Sequence, residues 1–300
     1  MLCSQLDQAV TSIGRLDWSL QHGCPTSSIC AAAAAAGTLD VLAHARSLRL
    51  PWGDVCTAAA RAGQLDALKY AHVHGAPWDE LTCASAAASG YRTCLRYAHE
   101  EECDWDETTC SEAARFGNLN CLQYAHEHGC PWDETTCSNA ASSGHLRCLQ
   151  YARTRGCPWN TDVCDLAAVN GHLAIIRYFY AQTCTFGVET CVLSAENGHL
   201  AILQYAREHG CPWWDELSTC SFAAANGHIE CLRYAHENGC SWDEVTCFEA
   251  ARNGHLECLR YAHECGCPWD EETLVGAATN QHFECLLYAF HEGCPRLQSG

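Results

Sequence analysis

One phrase recurs along nearly the whole chain at an almost constant spacing. Residues 117–132 read GNLNCLQYAHEHGCPW, and residues 254–269 read GHLECLRYAHECGCPW. A glycine marks the same point of successive copies at steps of 26 to 29 residues, with Gln281 in the tenth place. The marker glycines are Gly37, Gly63, Gly90, Gly117, Gly144, Gly171, Gly198, Gly227 and Gly254. Self-similarity at one period predicts a repeat solenoid, in which shared residues hold the stack together and differing residues carry any specific task.

Composition narrows the classes of partner. The net charge of -19 argues against nucleic acid, because a phosphate backbone needs clustered Lys and Arg, and it favours a basic or neutral protein surface. No apolar run approaches the roughly 18–20 residues of a membrane helix. The N-terminus, MLCSQLDQAVTSIG, has no basic stretch followed by an apolar one, so we expect neither a secretory signal nor a membrane partner.

The 26 cysteines follow the period of the repeat. The first column is Cys30, Cys56, Cys83, Cys110, Cys137, Cys164, Cys191, Cys220 and Cys247. The second column is Cys24, Cys103, Cys130, Cys157, Cys184, Cys211, Cys240, Cys267 and Cys294, and the third is Cys94, Cys121, Cys148, Cys231, Cys258 and Cys285. Stacked helices lie about 8–10 Å apart, so equivalent cysteines of neighbouring repeats are too distant for disulfides. We expect free thiols that pack as small hydrophobes in a reducing compartment, the cytoplasm or the nucleus, rather than in a secreted protein.

One repeat, residues 106–130, predicts a helical hairpin. Asp106 is placed to cap a first helix that runs to about Phe116 and buries Cys110, Ala113 and Ala114. Gly117 suits the left-handed conformation that ends a helix. A second helix, about 119–128, is expected to bury Leu119, Leu122 and Ala125, with Cys121 and Tyr124 flanking that stripe, before Gly129 ends it.

These residues resemble the ankyrin repeat. The order Thr-Cys-x-x-Ala-Ala-x-x-Gly-His-Leu-x-Cys-Leu-x-Tyr-Ala-His-Glu-x-Gly is similar to that family's Thr-Pro-Leu-His-x-Ala-Ala start followed by Gly-His-Leu-Glu. The resemblance covers about residues 14–294, between a lead-in at 1–13 and a tail at 295–300, and implies one solenoid of about ten repeats with degenerate first and last copies as caps. The repeat is about 27 residues rather than the family's 33, and the deficit falls where ankyrin repeats carry a β-hairpin finger. The resemblance therefore implies an all-α solenoid with shortened or absent fingers.

Several periodic residue types invite a chemical role. Tryptophans in the links could form a ligand ladder, but we expect each to pack over the helix ends of its own and the next repeat: Trp52, Trp78, Trp105, Trp132, Trp159, Trp242 and Trp269. His126, His128 and Cys130 could suggest a metal site, yet the chain has no Cys-x-x-Cys pair. The histidines after the marker glycines match the family's framework histidine: His145, His172, His199, His228 and His255. Asp-Glu pairs are read as helix caps at 79–80, 106–107, 133–134, 215–216, 243–244 and 270–271.

A catalytic site should break a repeat, since it needs one perturbed residue in one cleft. The chain has no Gly-rich phosphate loop, no Gly-x-Ser-x-Gly and no His-Glu-x-x-His. We therefore expect no enzyme activity, no catalytic residue, no metal and no cofactor.

The position two residues after the first-column cysteine differs from repeat to repeat. It holds an apolar run of three, Leu166, Leu193 and Phe222, with polar residues Glu112, Asn139 and Glu249 at the flanks and Val169 and Arg115 beside the stripe. An apolar centre with a polar rim is the layout of a binding hot spot. Packing in the seam between repeats is the alternative for this stripe.

The sequence therefore predicts a monomeric, non-enzymatic scaffold that binds a protein partner through its concave first-helix face. Three alternatives stay open: a metal or thiol buffer built on the Cys and His columns, the adaptor region of a larger protein, and a hydrolase with a cysteine nucleophile. Because only about 13 residues precede the first repeat, we expect no separate recruiting domain in this chain.

Overall fold

The computed structural model describes residues 8–160, 162–182, 187–213 and 219–296, and the chain divides into two compact parts, Met1–Asn160 and Thr161–Gly300. In each part short helices alternate as pairs, a first helix and a second helix per repeat. Consecutive first helices pack against each other, and each first helix packs against the second helix of its own repeat. Each part is thus an α-solenoid of stacked helix-turn-helix repeats.

The N-terminal part begins with a second helix. Its first helices are Ile29–Ala36, Val55–Arg61, Glu80–Ala88, Glu107–Arg115 and Glu134–Ser142. Its second helices are Ile13–Gln21, Leu39–Ser47, Leu65–Val73, Arg92–Glu100, Leu119–Glu127 and Leu146–Thr154.

The C-terminal part repeats the same alternation. Its first helices are Asp162–Val169, Val188–Glu196, Thr219–Ala225, Glu244–Arg252 and Glu271–Thr279. Its second helices are Leu173–Ala181, Leu200–Glu208, Ile229–Glu237, Leu256–Glu264 and Phe283–His291.

The predicted hairpin of residues 106–130 is confirmed at both of its helix ends. The carboxylate of Asp106 accepts the backbone N–H of Thr108 at 3.0 Å, which satisfies one free donor of the first turn. Gly117 has φ +74° and Gly129 has φ +87°, and glycine is the residue that adopts this left-handed backbone without a Cβ penalty. The N-cap Asp and the C-terminal Gly therefore set the length of each helix.

The core of this repeat differs in part from the predicted stripe. Cys110, Ala113 and Ala114 are fully buried, as predicted. On the second helix Cys121 and Tyr124, predicted as flanking residues, are buried, whereas Leu119, predicted as buried, is half-buried. Each second helix has a neighbouring second helix at its side as well as its first helix beneath, so its buried face is wider than one stripe.

The first repeat starts earlier than an alignment on Gly14 predicts. The helix Ile13–Gln21 already contains Gly14, and the hydroxyl of Ser12 accepts the backbone N–H of Arg15 at its start. Ala9 and Val10 are buried ahead of it. Thr11 therefore takes the marker position, and the alignment of Gly14 with the marker glycines is wrong by three residues.

The links between repeats are short and irregular. Across the four described ranges we find no β-strand, in agreement with the predicted loss of the fingers. Within the same ranges, the longest helices are too short to cross a bilayer. Asp215, Glu216 and Cys184, which were assigned to the periodic columns, lie outside the described residues.

Candidate partner-binding surface

The variable position of the first helix is half-buried in every repeat that was predicted to contribute to a binding stripe. Its occupants are Glu112, Asn139, Leu166, Leu193, Phe222 and Glu249. Its neighbours along the helix are buried more deeply: Ala113, Ala140, Ala167, Ser194, Ala223 and Ala250 are fully buried. The first helices thus show the solvent one changing side chain beside a constant buried face.

In the N-terminal part this position is polar and touches its surroundings. The Glu112 carboxylate lies 3.4 Å from the guanidinium of Arg115, and Arg115 is exposed. The side-chain amide of Asn139 donates to the Ser111 carbonyl of the preceding first helix at 3.5 Å. Asn139 is therefore partly a seam residue, while Arg115 points away from the seam.

In the C-terminal part the position is apolar in three consecutive repeats. Leu166, Leu193 and Phe222 occupy the same place on successive first helices, and Val169 is half-buried one turn further on. Below Phe222, Glu249 pairs with Arg252 at 3.4 Å. The arrangement keeps the apolar centre and polar flank that the sequence predicts.

A cleft that the sequence analysis missed lies next to Glu249. It has a volume of about 280 Å³ and is lined by Glu244, Val245, Phe248, Asp270 and Glu272. Val245 is 43 % exposed at its mouth, so the cleft combines apolar carbon with three carboxylates and has no cationic lining residue. The sequence signal was the apolar Val245-x-x-Phe248 spacing at the start of a first helix, where two other repeats have threonine and serine.

The N-terminal part has a larger cleft. It has a volume of about 690 Å³ and is lined by residues that include Arg15, Trp18 and His22. Trp18 is 61 % exposed, and its ring stacks on His22 with centroids 4.1 Å apart. Trp18 occupies the place of the second-helix tyrosines, which the misplaced alignment on Gly14 concealed.

The link tryptophans pack as predicted, against their own repeat and the next one. The Trp132 ring stacks on His126 of its own second helix, with centroids 3.7 Å apart, and meets Tyr151 of the next repeat edge-on at 6.3 Å. Where histidine is replaced by arginine, the guanidinium takes over, as for Arg153 over Trp159 at 4.4 Å. Stacking therefore occupies one face of each ring, so these half-buried tryptophans are framework residues.

The histidines after the marker glycines fill a slot in the preceding repeat. A Cβ placed on Gly117 would lie 2.5 Å from Nδ1 of His145, and one on Gly227 would lie 2.5 Å from Nδ1 of His255. The Nε2 atom of His199 makes a 2.9 Å hydrogen bond with the Val169 carbonyl. In earlier repeats Asn118 does the same work, donating to the Ala87 and Ala88 carbonyls at 3.0 and 2.8 Å. The framework role is thus to satisfy the free carbonyls at the end of the neighbouring first helix.

The trio proposed as metal ligands has three separate partners. His126 stacks on Trp132, and the Nδ1 atom of His128 bonds the Tyr124 carbonyl at 2.8 Å. The thiol of Cys130 donates to the Asp106 carbonyl at 3.2 Å. No group of three or more potential ligands comes together within the residues that the structure describes.

The thiols are buried, and burial raises their pKa. Desolvation raises the pKa of Cys121 to about 11 and that of Cys258 to about 12. Because the thiolate is the nucleophile, these groups are poorly suited to catalysis. The described cysteines contain no disulfide, but the first and second columns come together in pairs within each repeat.

Comparison with known proteins decides the family. The family model for ankyrin repeats (many copies) matches residues 220–263, which cover the helices Thr219–Ala225, Ile229–Glu237 and Glu244–Arg252. The chain carries ankyrin repeats. Ankyrin repeats are generally protein–protein interaction modules and are typically not enzymes. A comparison with curated proteins gave no match.

Proposed function

We propose that this ankyrin-repeat chain is a non-enzymatic scaffold and that a protein partner binds on its concave first-helix face. The observation that carries the proposal is the half-buried position two residues after the first-column cysteine. It changes from polar to apolar along the chain while the adjacent alanines stay fully buried. A side chain that is fully buried cannot meet a partner, and the link tryptophans are already occupied by stacking.

The apolar stretch is the energetic centre of the proposed surface. Completing the burial of a large apolar side chain contributes up to about 1.5–3 kcal/mol, and Leu166, Leu193 and Phe222 each retain exposed area for this. Charged neighbours such as Glu196 and Glu249 form a polar rim that orients the partner.

The chemistry of the surface favours a partner with basic side chains. The chain carries a net charge of -19, which attracts cations and speeds their association. In the cleft beside Glu249, the aliphatic stem of a lysine or arginine would lie on Val245 and Phe248, and its charge would meet Glu244, Asp270 and Glu272. The scaffold needs no cofactor and acts as a monomer, and residues 14–294 form its repeat region.

Site-specific photo-crosslinking in cells tests the proposal. A photoreactive residue at Leu193 should yield a covalent adduct with a discrete protein. The matched probe at Ala201, which is exposed on the second helix of the same repeat, should not. Equal adduct patterns from both positions, or adducts from Ala201 alone, would place the partner elsewhere.

A further inference from the structure

Within single repeats, a first-column cysteine meets the second-column cysteine that lies 20 residues later. The Sγ atoms of Cys191 and Cys211 are 2.8 Å apart. Side-chain hydrogen bonds of the same kind join Cys83 to Cys103, Cys110 to Cys130, Cys137 to Cys157 and Cys247 to Cys267. The separation between repeats, which excludes disulfides within one column, does not apply to two cysteines of the same repeat.

The repeat framework holds each pair in place. The second-column thiol also donates to the carbonyl of the residue that precedes the first helix of its own repeat, as Cys130 does to Asp106 at 3.2 Å and Cys267 to Asp243 at 3.1 Å. The first-column thiol sits on the buried face of that helix. Two sulfur atoms already in contact need to move by less than an ångström to reach the roughly 2.05 Å of a disulfide.

The chain contains natural counterexamples to this pairing. In the earlier repeats the second-column place holds Leu50, which faces Cys30, and Ala76, which corresponds to Cys56. The third-column thiols, such as Cys148 and Cys231, are buried on the second helices. These residues share the burial of the paired thiols but have no second-column thiol.

We propose that the within-repeat thiol pairs are redox-modification sites, each converted to an intramolecular disulfide by a low-molecular-weight disulfide of the glutathione class. One thiolate of the pair attacks a sulfur of the small disulfide, whose S–S bond breaks and releases the first small thiolate. The partner thiolate then attacks the mixed disulfide, closing the protein S–S bond and releasing the second small thiolate. The two protons lost by the protein pass to the two small thiols, so the pair is oxidised and the small disulfide is reduced.

Burial controls the rate of this exchange. Contact with the partner thiol and desolvation raise the pKa of Cys130 and of Cys267, which leaves little thiolate in the closed repeat. A mixed disulfide also has no room between packed helices. Exchange therefore proceeds through local opening of a repeat, and conditions that raise the population of open repeats raise its rate.

Oxidation would change the repeat in two ways. It closes a loop around the whole helical hairpin, which limits the unfolded chain and stabilises the repeat against heat. It also removes the S–H donor that satisfies the carbonyl of Asp106 or Asp243. The framework becomes more rigid, with the first-helix surface retained.

Disulfide mapping on the full, reduced chain tests the proposal. The chain is equilibrated with oxidised and reduced glutathione at about pH 8, with and without sub-denaturing urea, then acid-quenched, alkylated and digested without reduction. We expect linked peptides joining Cys110 to Cys130 and Cys247 to Cys267. Cys56 and Cys148 should be recovered alkylated, and urea should speed the linkage several-fold.

Two variants sharpen the result. Ala76→Cys supplies the missing partner of Cys56 and should create a new linked peptide, while Cys130→Ala should leave Cys110 alkylated and the Cys137–Cys157 linkage intact. Two outcomes would each overturn the proposal. One is a complete lack of linked peptides after equilibration in urea. The other is linkage between repeats as abundant as linkage within them.

Discussion

The imidazole of His145 occupies the space where a side chain on Gly117 would begin. A Cβ atom on Gly117 would lie 2.5 Å from the His145 Nδ1 atom, closer than real Cβ contacts allow. Gly117 also has φ +74°. Two independent requirements, one from the backbone and one from the next repeat, therefore converge on glycine at this position.

The double requirement predicts an unusually large loss for Gly117→Ala. The left-handed backbone costs an alanine about 1–2 kcal/mol, and displacement of His145 adds to that, so we expect a loss of at least about 2 kcal/mol in urea denaturation. The matched control is Gly129→Ala, because Gly129 has φ +87° but nothing within 4 Å of its Cβ position. It should lose only the backbone share. Removing the ring with His145→Ala should make the double variant less destabilised than the sum of its parts, and strict additivity would refute the contact.

Glu102 holds a left-handed conformation where most repeats have glycine. Its φ is +62°, and it takes the place that Gly129 has in the next repeat. Glu102→Gly should raise the unfolding free energy by up to about 1 kcal/mol, since it removes backbone strain at an exposed site. The neighbouring change Glu101→Gly, at φ -99°, should not stabilise the protein. A thermal melt of the two variants distinguishes these outcomes, and equal shifts would contradict the account.

Stability should fall as the pH is lowered through the histidine range. Burial lowers the pKa of His99, helped by His128, and burial and Arg155 lower the pKa of His126. Below about pH 6.5 the unfolded chain binds protons that these folded histidines refuse, so each histidine contributes a slope of up to about 1.4 kcal/mol per pH unit until its folded pKa is reached.

A variant with arginine at both positions isolates this effect. Arg153 already stacks over Trp159, so His99→Arg with His126→Arg should keep the stacking and remove the titration. Denaturation midpoints measured from about pH 7.5 to pH 5.5 should decline less steeply in the variant. An unchanged slope would show that other groups control the acid sensitivity.

Asp165 is a half-buried carboxylate on a first helix. Desolvation raises its pKa, although the Thr190 hydroxyl donates to it at 3.1 Å. A raised carboxyl pKa gives stability at low pH that is lost as the pH rises through the folded value. Asp165→Asn keeps an acceptor for Thr190 without the buried charge, so it should stabilise the protein at pH 7 by no more than about 1 kcal/mol. The gain should vanish near pH 3, and a gain that persists there would rule out desolvation as its cause.

Much of this fold follows from the period alone. The Asp caps, the glycine ends and the paired alanines repeat, so residues 106–117 could be assigned to a helix and its end from sequence. The pairing of Cys110 with Cys130 could not, because it depends on where the link places a residue 20 positions away. The contact of Gly117 with His145 depends on the stacking of two repeats, which no single repeat contains. The Val245 and Phe248 cleft lies in one copy, where the period carries no information.

The central claim is that constant residues hold the stack while the half-buried variable residues recognise a partner. The most direct test changes Leu166, Leu193 and Phe222 together to Ser and measures partner capture and urea unfolding on the same preparation. The account predicts loss of the partner trapped at Leu193, with a stability change below about 1 kcal/mol per site. Retained capture together with a loss above about 2 kcal/mol per site would show that these side chains belong to the seam between repeats, and would contradict the account.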